Sequence, residues 1–190
     1  MRKIFLFCMI CMLAMLTGCT DYAEEYDKNT LVIKGNGSIV EVAVEDFSKS
    51  SVTAMDLTAY IEKQIMDYNS SQDKDTVEND TLLTEDMSKV KLVLKYKNID
   101  AYNGFNLLEC TLTDFSEVDE DDLKGTFTSV DGKSVKVGKM EDTSKASVLI
   151  MSEKTDVVLD GDILYYNKEV SVKDGVVTTT GKGDAIIIFK

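Results

Sequence analysis

Apolar and polar residues alternate along much of the chain. Leu31-Val32-Ile33-Lys34 and residues 39–44 are β-rich runs on either side of Gly35-Asn36-Gly37, and the Asn-Gly pair suits a type I′ hairpin turn. Val40, Val42 and Val44 alternate with Glu41, Ala43 and Glu45, which predicts one inward face and one polar face. Thr53 and Asp56 have capping-box spacing, and Leu57, Ile61, Ile65 and Tyr68 follow at helical intervals. They predict an amphipathic helix with a narrow apolar stripe, suited to packing against a sheet. Residues 70–88 carry six acids and read as a loop. Val90, Leu92, Leu94 and Tyr96 predict a strand with Lys91, Lys95 and Lys97 facing solvent. One helical turn is expected within residues 98–106, then a strand over residues 107–113.

An acidic cluster, Glu117 with Asp119 to Asp122, separates this half from a run of short strands and turns. Residues 127–130 and 134–137 flank Asp131-Gly132. Further β-runs at 147–151, 155–159, 163–166, 170–172, 176–179 and 185–189 are punctuated by Asp160-Gly161, Asp174-Gly175 and Gly181-Lys182-Gly183. Such spacing predicts a small sandwich, barrel-like or meander arrangement. The fold class expected is α+β: an N-terminal β-hairpin, one main amphipathic helix, further antiparallel strands and a β-rich C-terminal half. Residues 30–190 would form a single domain, with a division into two subdomains near 115–125 as an option.

The N-terminus carries the clearest functional signal. Met1-Arg2-Lys3 is a basic start, and the uncharged apolar run from Ile4 to Leu16 would reach only about 20 Å as a helix, short of the ~30 Å hydrocarbon core. Residues 1–18 therefore read as a signal peptide. The run ends in Leu16-Thr17-Gly18-Cys19, which resembles the lipobox of bacterial lipoproteins. The resemblance implies cleavage between Gly18 and Cys19 and lipidation of Cys19, giving a membrane-anchored protein on the extracytoplasmic face. Residues 19–29 (CTDYAEEYDKN) are polar and aperiodic and read as a flexible acidic tether. Cys8 and Cys11 leave with the signal, so Cys110, in an apolar stretch, has no partner for a disulfide and reads as an inert core residue.

Charge and missing residue types narrow the chemistry. The chain carries 21 basic and 34 acidic residues, a net of −13, and loses two positive charges with Arg2 and Lys3. Nucleic-acid binding is excluded by that field, whereas metal ions, basic peptides and wall amino groups stay open as partners. There is no histidine, so neither a Ser-His-Asp triad nor a His-based zinc site can be built. Ser71-Gln72-Asp73-Lys74 and Ser88-Lys89-Val90-Lys91 match the S-x-x-K of a Ser-Lys hydrolase, without its K-T-G element. Asp131-Gly132-Lys133-Ser134 resembles the end of a phosphate-binding loop but has Phe127 where a glycine is required, and Gly35-x-Gly37 meets Val40 where a dinucleotide motif needs its third glycine. Glycosidase chemistry needs two carboxylates on rigid walls of one cleft, and the acids here crowd into loops. The EF-hand pattern fails, which leaves loose Ca²⁺ binding through Asp119 to Asp122 as an alternative. Tyr102, Phe105 and Tyr165-Tyr166 sit near turns, where aromatics often serve binding; core packing with one tyrosine facing outward is the plainer account.

Residues 34–47 (KGNGSIVEVAVEDF), 60–69 (YIEKQIMDYN), 101–106 (AYNGFN), 161–170 (GDILYYNKEV) and 185–190 (AIIIFK) resemble a family of small lipobox-bearing lipoproteins of anaerobic low-GC Gram-positive bacteria. The resemblance implies envelope location and a shared α+β domain, and carries over no catalytic residue or cofactor. The reading that results is a lipid-anchored, non-enzymatic binding domain for an envelope protein, a peptide or a wall component. The alternatives are a small-ligand or Ca²⁺-binding lipoprotein associated with a transporter, and a carboxylate- or Ser-Lys-based envelope enzyme.

Overall fold

The structure, a computed structural model, describes residues 21–119, 121–173 and 176–190. The signal segment with Cys8, Cys11 and Gly18, the lipidation residue Cys19, Glu120 and the Asp174-Gly175 turn lie outside the described residues.

The fold is α+β. Its helices are α1 (Tyr22–Glu25), α2 (Ala54–Ser70) and α3 (Ile99–Asn106). The strands of the first half are β1 (Thr30–Ile33), β2 (Ile39–Glu45), β3 (Val77–Leu83), β4 (Val90–Tyr96) and β5 (Thr111–Asp114). Then come β6 (Thr126–Ser129), β7 (Ser134–Lys136), β8 (Ser147–Met151), β9 (Asp156–Leu159), β10 (Ile163–Tyr166), β11 (Val170–Lys173), β12 (Val176–Thr179) and β13 (Ala185–Phe189). A seven-stranded sheet runs β11-β12-β9-β1-β2-β4-β3, and a six-stranded sheet runs β5-β8-β13-β10-β6-β7. The pairings are antiparallel except that β1 runs parallel to β9, with Leu31 opposite Val157. The option of a division near residues 115–125 is therefore overturned. Strands β9 and β12 of the C-terminal half complete the first sheet, and β5 of the N-terminal half pairs with β8 in the second.

The main core lies between the sheets, where Leu31, Ile33, Ile39 and Tyr96 pack in one cluster with Leu149, Met151, Ile187 and Phe189. A second cluster, around Phe127, Val148 and Ile188, covers the outer face of the smaller sheet. Burial on both faces explains why β13 reads Ala-Ile-Ile-Ile-Phe without alternation. It also accounts for Tyr165 and Tyr166. Both are half-buried, Tyr166 packing on the main core and Tyr165 on the outer cluster.

Helix α2 begins with the capping box: Asp56 N–H donates to Thr53 Oγ1 and Thr53 N–H to Asp56 Oδ2, each at 3.2 Å. Leu57 and Ile61 pack on Val90 of β4 and Leu82 of β3. Residues 70–88, expected to be a loop, contain β3. Its Glu78-Asn79-Asp80 stretch hides the strand period, but it is an edge strand with an irregular register between Asn79 and Thr81, so its acids face water. The hairpin turn at residues 34–37 is closed by Gly37 N–H donating to Lys34 O at 2.8 Å, with positive φ at Gly37 alone (81°). That is a three-residue loop ending in a left-handed glycine, in place of the type I′ turn, which needs two positive φ values. The turn expected within residues 98–106 is the full helix α3. Leu107, expected to open a strand, caps α3 in the left-handed conformation (φ 56°) at 90% exposure, and β5 starts only at Thr111.

Residues from 21 onward are not a tether. Asp21 Oδ1 accepts from the N–H groups of Ala23 (3.1 Å) and Glu24 (3.2 Å), which starts the single turn of α1. Tyr22, Ala23 and Tyr26 lie on the outer face of the larger sheet over Val32, Val40, Val42 and Val93. The valines of β2 thus face α1, and Glu41 lies on the face toward the main core, the reverse of the expected polar side. Lys91 is also reversed. It is 8% exposed, and its Nζ donates to Ala23 O (2.6 Å) and to Asp27 Oδ1 (2.7 Å). Asp27 accepts from Lys89 as well (2.8 Å), and the two lysine hydrogen bonds pull its carboxyl down to about 2.

Tyr22→Ala is expected to lower stability by about 2–3 kcal/mol, a little under a central aromatic truncation. In a chain of this size each kcal/mol lowers Tm by about 2–4 °C. An unchanged Tm in thermal unfolding would return this segment to a tether.

Candidate functional site

Helix α3 lies at the edge of the main core, and Gly104 sets how closely it docks. A Cβ there would sit 2.6 Å from the Tyr68 hydroxyl of α2, so any larger residue would have to push the end of that ring aside. Asn98 caps the start of α3, accepting from Ala101 N–H at 3.0 Å. At the other end the Asn103 side chain clamps the returning chain. Its Nδ2 donates to Cys110 O (2.7 Å) and its Oδ1 accepts from Cys110 N–H (2.9 Å). Tyr102 and Asn106, four residues apart and so on one helical face, are thereby set against Glu41.

Glu41 stands on β2 opposite Leu31 of β1 and Leu94 of β4. Its Oε2 accepts from the Tyr96 hydroxyl at 2.5 Å and from Asn106 Nδ2 at 3.3 Å, and Asn106 Nδ2 also donates to the Tyr96 oxygen at 3.0 Å. Tyr96 is buried, with its ring edge-on to Tyr102 (centroids 5.2 Å apart, planes at 89°). Glu41 Oε1 accepts no hydrogen bond from the described residues and is not sealed from solvent; the one sealed side-chain polar atom without a partner among them is Thr76 Oγ1. Burial raises the Glu41 pKa above the ordinary glutamate value, against the opposing effect of the Tyr96 and Asn106 hydrogen bonds.

Glu41 opens on a cleft of about 300 Å³ that is also lined by Tyr102, Asn106, Glu45, Glu153 and Lys154. Glu153 Oε2 accepts from Cys110 Sγ at 3.3 Å. Burial, then the Glu153 carboxylate, pushes the Cys110 thiol up to about 12, so it is protonated and unreactive at neutral pH. The Tyr102 hydroxyl is raised too, first by burial and then by Glu41, Cys110 and Glu153. Three carboxylates against one lysine, beside the partly negative C-terminal end of α3, make the cleft attractive to a positive charge. Its aromatic floor is the 4% exposed Tyr102.

The residues singled out by motif go elsewhere. Ser88 Oγ donates to Asp86 Oδ1 at 2.6 Å and Lys91 is held by Ala23 and Asp27, so no hydrogen bond joins this pair. Ser71 Oγ caps α2 by donating to Tyr68 O (2.6 Å). Asp119 Oδ1 accepts from Asp121 N–H (2.9 Å), Asp121 pairs with Lys124 (3.1 Å), and no three acidic or cysteine groups among the described residues converge as a metal-ligand set. Phe105 packs edge-on to Tyr68. Gly18 and Cys19 lie outside the described residues. Glu41, Glu153 and Asn106 were not singled out by the sequence. The available signal was parity, since Glu41 shares its side of β2 with the wholly buried Ile39. No protein-family model, curated protein or solved structure matches this chain.

A raised pKa means that ionising Glu41 disfavours the fold. Its contribution is complete below the unfolded value of about 4.3 and is lost as pH rises through the folded value. Asp27, Asp46, Asp56 and Asp86 are lowered and act oppositely, but they are common to wild type and to Glu41→Gln. As pH falls from about 7 toward about 4 the Tm of the wild type should therefore gain on that of Glu41→Gln. A difference independent of pH would show that Glu41 is not held above its ordinary value.

Proposed function

We propose that the chain is a lipid-anchored extracytoplasmic binding domain, not an enzyme, whose cleft holds a positively charged group. The ligand class is an amine: a lysine side chain of an envelope protein or peptide, or an amino sugar of a wall component. The observation that carries this reading is Glu41, a half-buried carboxylate with one oxygen free of protein donors, facing an acidic cleft of about 300 Å³. Such a volume suits one side chain or one sugar ring. The address is supported by the Leu16-Thr17-Gly18-Cys19 lipobox behind a basic start, and by the resemblance to small lipobox lipoproteins.

In titration calorimetry with a trilysine peptide and with a glucosamine disaccharide, at least one probe should bind. Glu41→Gln should weaken that binding about ten- to a hundredfold, the value of a charge-assisted hydrogen bond. Equal affinity in the variant would remove the cleft from the account. In cells, Cys19→Ser should move the protein out of the membrane fraction; retention there would refute the anchor.

A second reading follows from the same cleft. The cleft sets two carboxyl groups, Glu41 and Glu153, in one opening, the pair of groups that hydrolysis of a wall glycan uses. Release of reducing ends by wild type, abolished in both Glu41→Gln and Glu153→Gln, would replace the binding reading with this one.

A further inference from the structure

Two tyrosine hydroxyls belong to the site, and they differ in how they are used. That of Tyr96 is paired both ways, donating to Glu41 Oε2 at 2.5 Å and accepting from Asn106 Nδ2 at 3.0 Å. That of Tyr102 makes no hydrogen bond with any described residue. Tyr102 is 4% exposed, and its oxygen is not among the sealed atoms, so the little surface it keeps includes the hydroxyl. The cleft it lines is that of Glu41.

The ring is held where it stands. Tyr96 packs edge-on against it, and the next residue of α3, Asn103, is clamped to Cys110 through both atoms of its amide. Burial, then the charges of Glu41, Cys110 and Glu153, raises the Tyr102 hydroxyl above the ordinary tyrosine value. Its proton therefore stays on, and the group is at once a donor and an acceptor. A ligand that enters the cleft strips water from this donor. One that cannot pair it is penalised, because the buried hydroxyl loses its water without a replacement.

A simple ammonium is such a ligand. It carries N–H donors and no acceptor, so it satisfies Glu41 Oε1 and offers the Tyr102 O–H nothing to donate to. Both groups are met by a molecule with a hydroxyl on the atom next to its amine. The ligand hydroxyl accepts from Tyr102 and can pass its own hydrogen to a carboxylate. Glu153 lines the same cleft, and its Oε1 accepts no hydrogen bond from the described residues.

We infer that the cleft takes an amino sugar of a wall glycan, with a free amine and a hydroxyl on adjacent ring carbons, and that Tyr102 selects it over a lysine side chain. The inference rests on the amine-binding reading above and narrows its ligand to one class. The ammonium lies on Glu41 and the neighbouring hydroxyl on Tyr102. The volume of about 300 Å³ suits one ring. Acetylation of the amine removes the charge that Glu41 pairs, so the acetylated sugar is rejected.

The test is titration calorimetry on the full lipidated chain in neutral detergent micelles, with a glucosamine disaccharide, its N-acetylated form and trilysine. The disaccharide should bind more tightly than trilysine, and the acetylated form should not bind. Tyr102→Phe keeps the ring and removes only the hydroxyl. It should weaken the disaccharide about tenfold, the value of one hydrogen bond at the strong end of the neutral range, and leave trilysine unchanged. Its Tm should not fall, since the hydroxyl has no partner in the folded chain. Tighter binding of trilysine, or an equal effect of Tyr102→Phe on both probes, overturns the choice of the sugar while the amine reading stands. A lowered Tm shows that the hydroxyl is already paired and overturns the choice as well. The amine reading itself falls if Glu41→Gln leaves both probes unaffected, or if the acetylated disaccharide binds as well as the free amine.

Discussion

Strand β1 is four residues long and is hydrogen-bonded along both edges, antiparallel to β2 and parallel to β9. Bonds at its two ends extend the pairing. Asp156 N–H donates to Asn29 O at 3.0 Å, and Asp160 N–H to Ile33 O at 2.9 Å, while Gly35 N–H reaches the Asp160 carboxylate at 3.1 Å. The two halves of the chain are joined through this strand into one sheet. The cleft depends on the same pairing, since β9 is what brings Glu153, Lys154 and Thr155 beside Asn29, Thr30 and Leu31. Parallel pairing across so long a sequence separation delays its reward until the loop is closed, so β1–β9 pairing should form late in folding.

The chemistry of the cleft follows from how little water Glu41 retains. A carboxylate on a solvated edge would keep its ordinary pKa and interact weakly with a ligand. Set between β1, β4 and α3, it loses solvation, and only part of that loss is returned by the Tyr96 hydroxyl and the Asn106 amide. Both donors act on one oxygen. The other is left to an incoming donor, and a cationic one would restore the missing stabilisation. A polar network that is satisfied on one side and open on the other differs in this respect from the Asn103–Cys110 clamp next to it, where the amide oxygen and nitrogen are both paired.

Much of the architecture was legible in the sequence. The capping box at Thr53, the stripe Leu57-Ile61-Ile65-Tyr68, the β4 alternation and the short C-terminal strands all correspond to elements of the fold. What was misread has one physical source: alternation assigns two faces but does not say which is inside. Both faces of β2 and β4 are covered, one by α1 and the other by the main core. The lysine at position 91 and the glutamate at position 41 therefore both lie under protein. The acidic look of residues 21–29 concealed Tyr22, Ala23 and Tyr26, whose spacing within one short turn is too brief for a periodicity to register. Glu153 could not have been joined to Glu41 from the sequence, because only the β1–β9 pairing brings them to one cleft.

The most direct measurement is a ¹³C NMR titration of the Glu41 side-chain carboxyl, assigned by its loss in Glu41→Gln. The account requires a midpoint above the ordinary glutamate value of about 4.3, because burial outweighs two hydrogen bonds to the same oxygen. A midpoint at or below that value would mean that Glu41 is solvated or fully paired, and the cleft would have no poised carboxylate to offer a ligand.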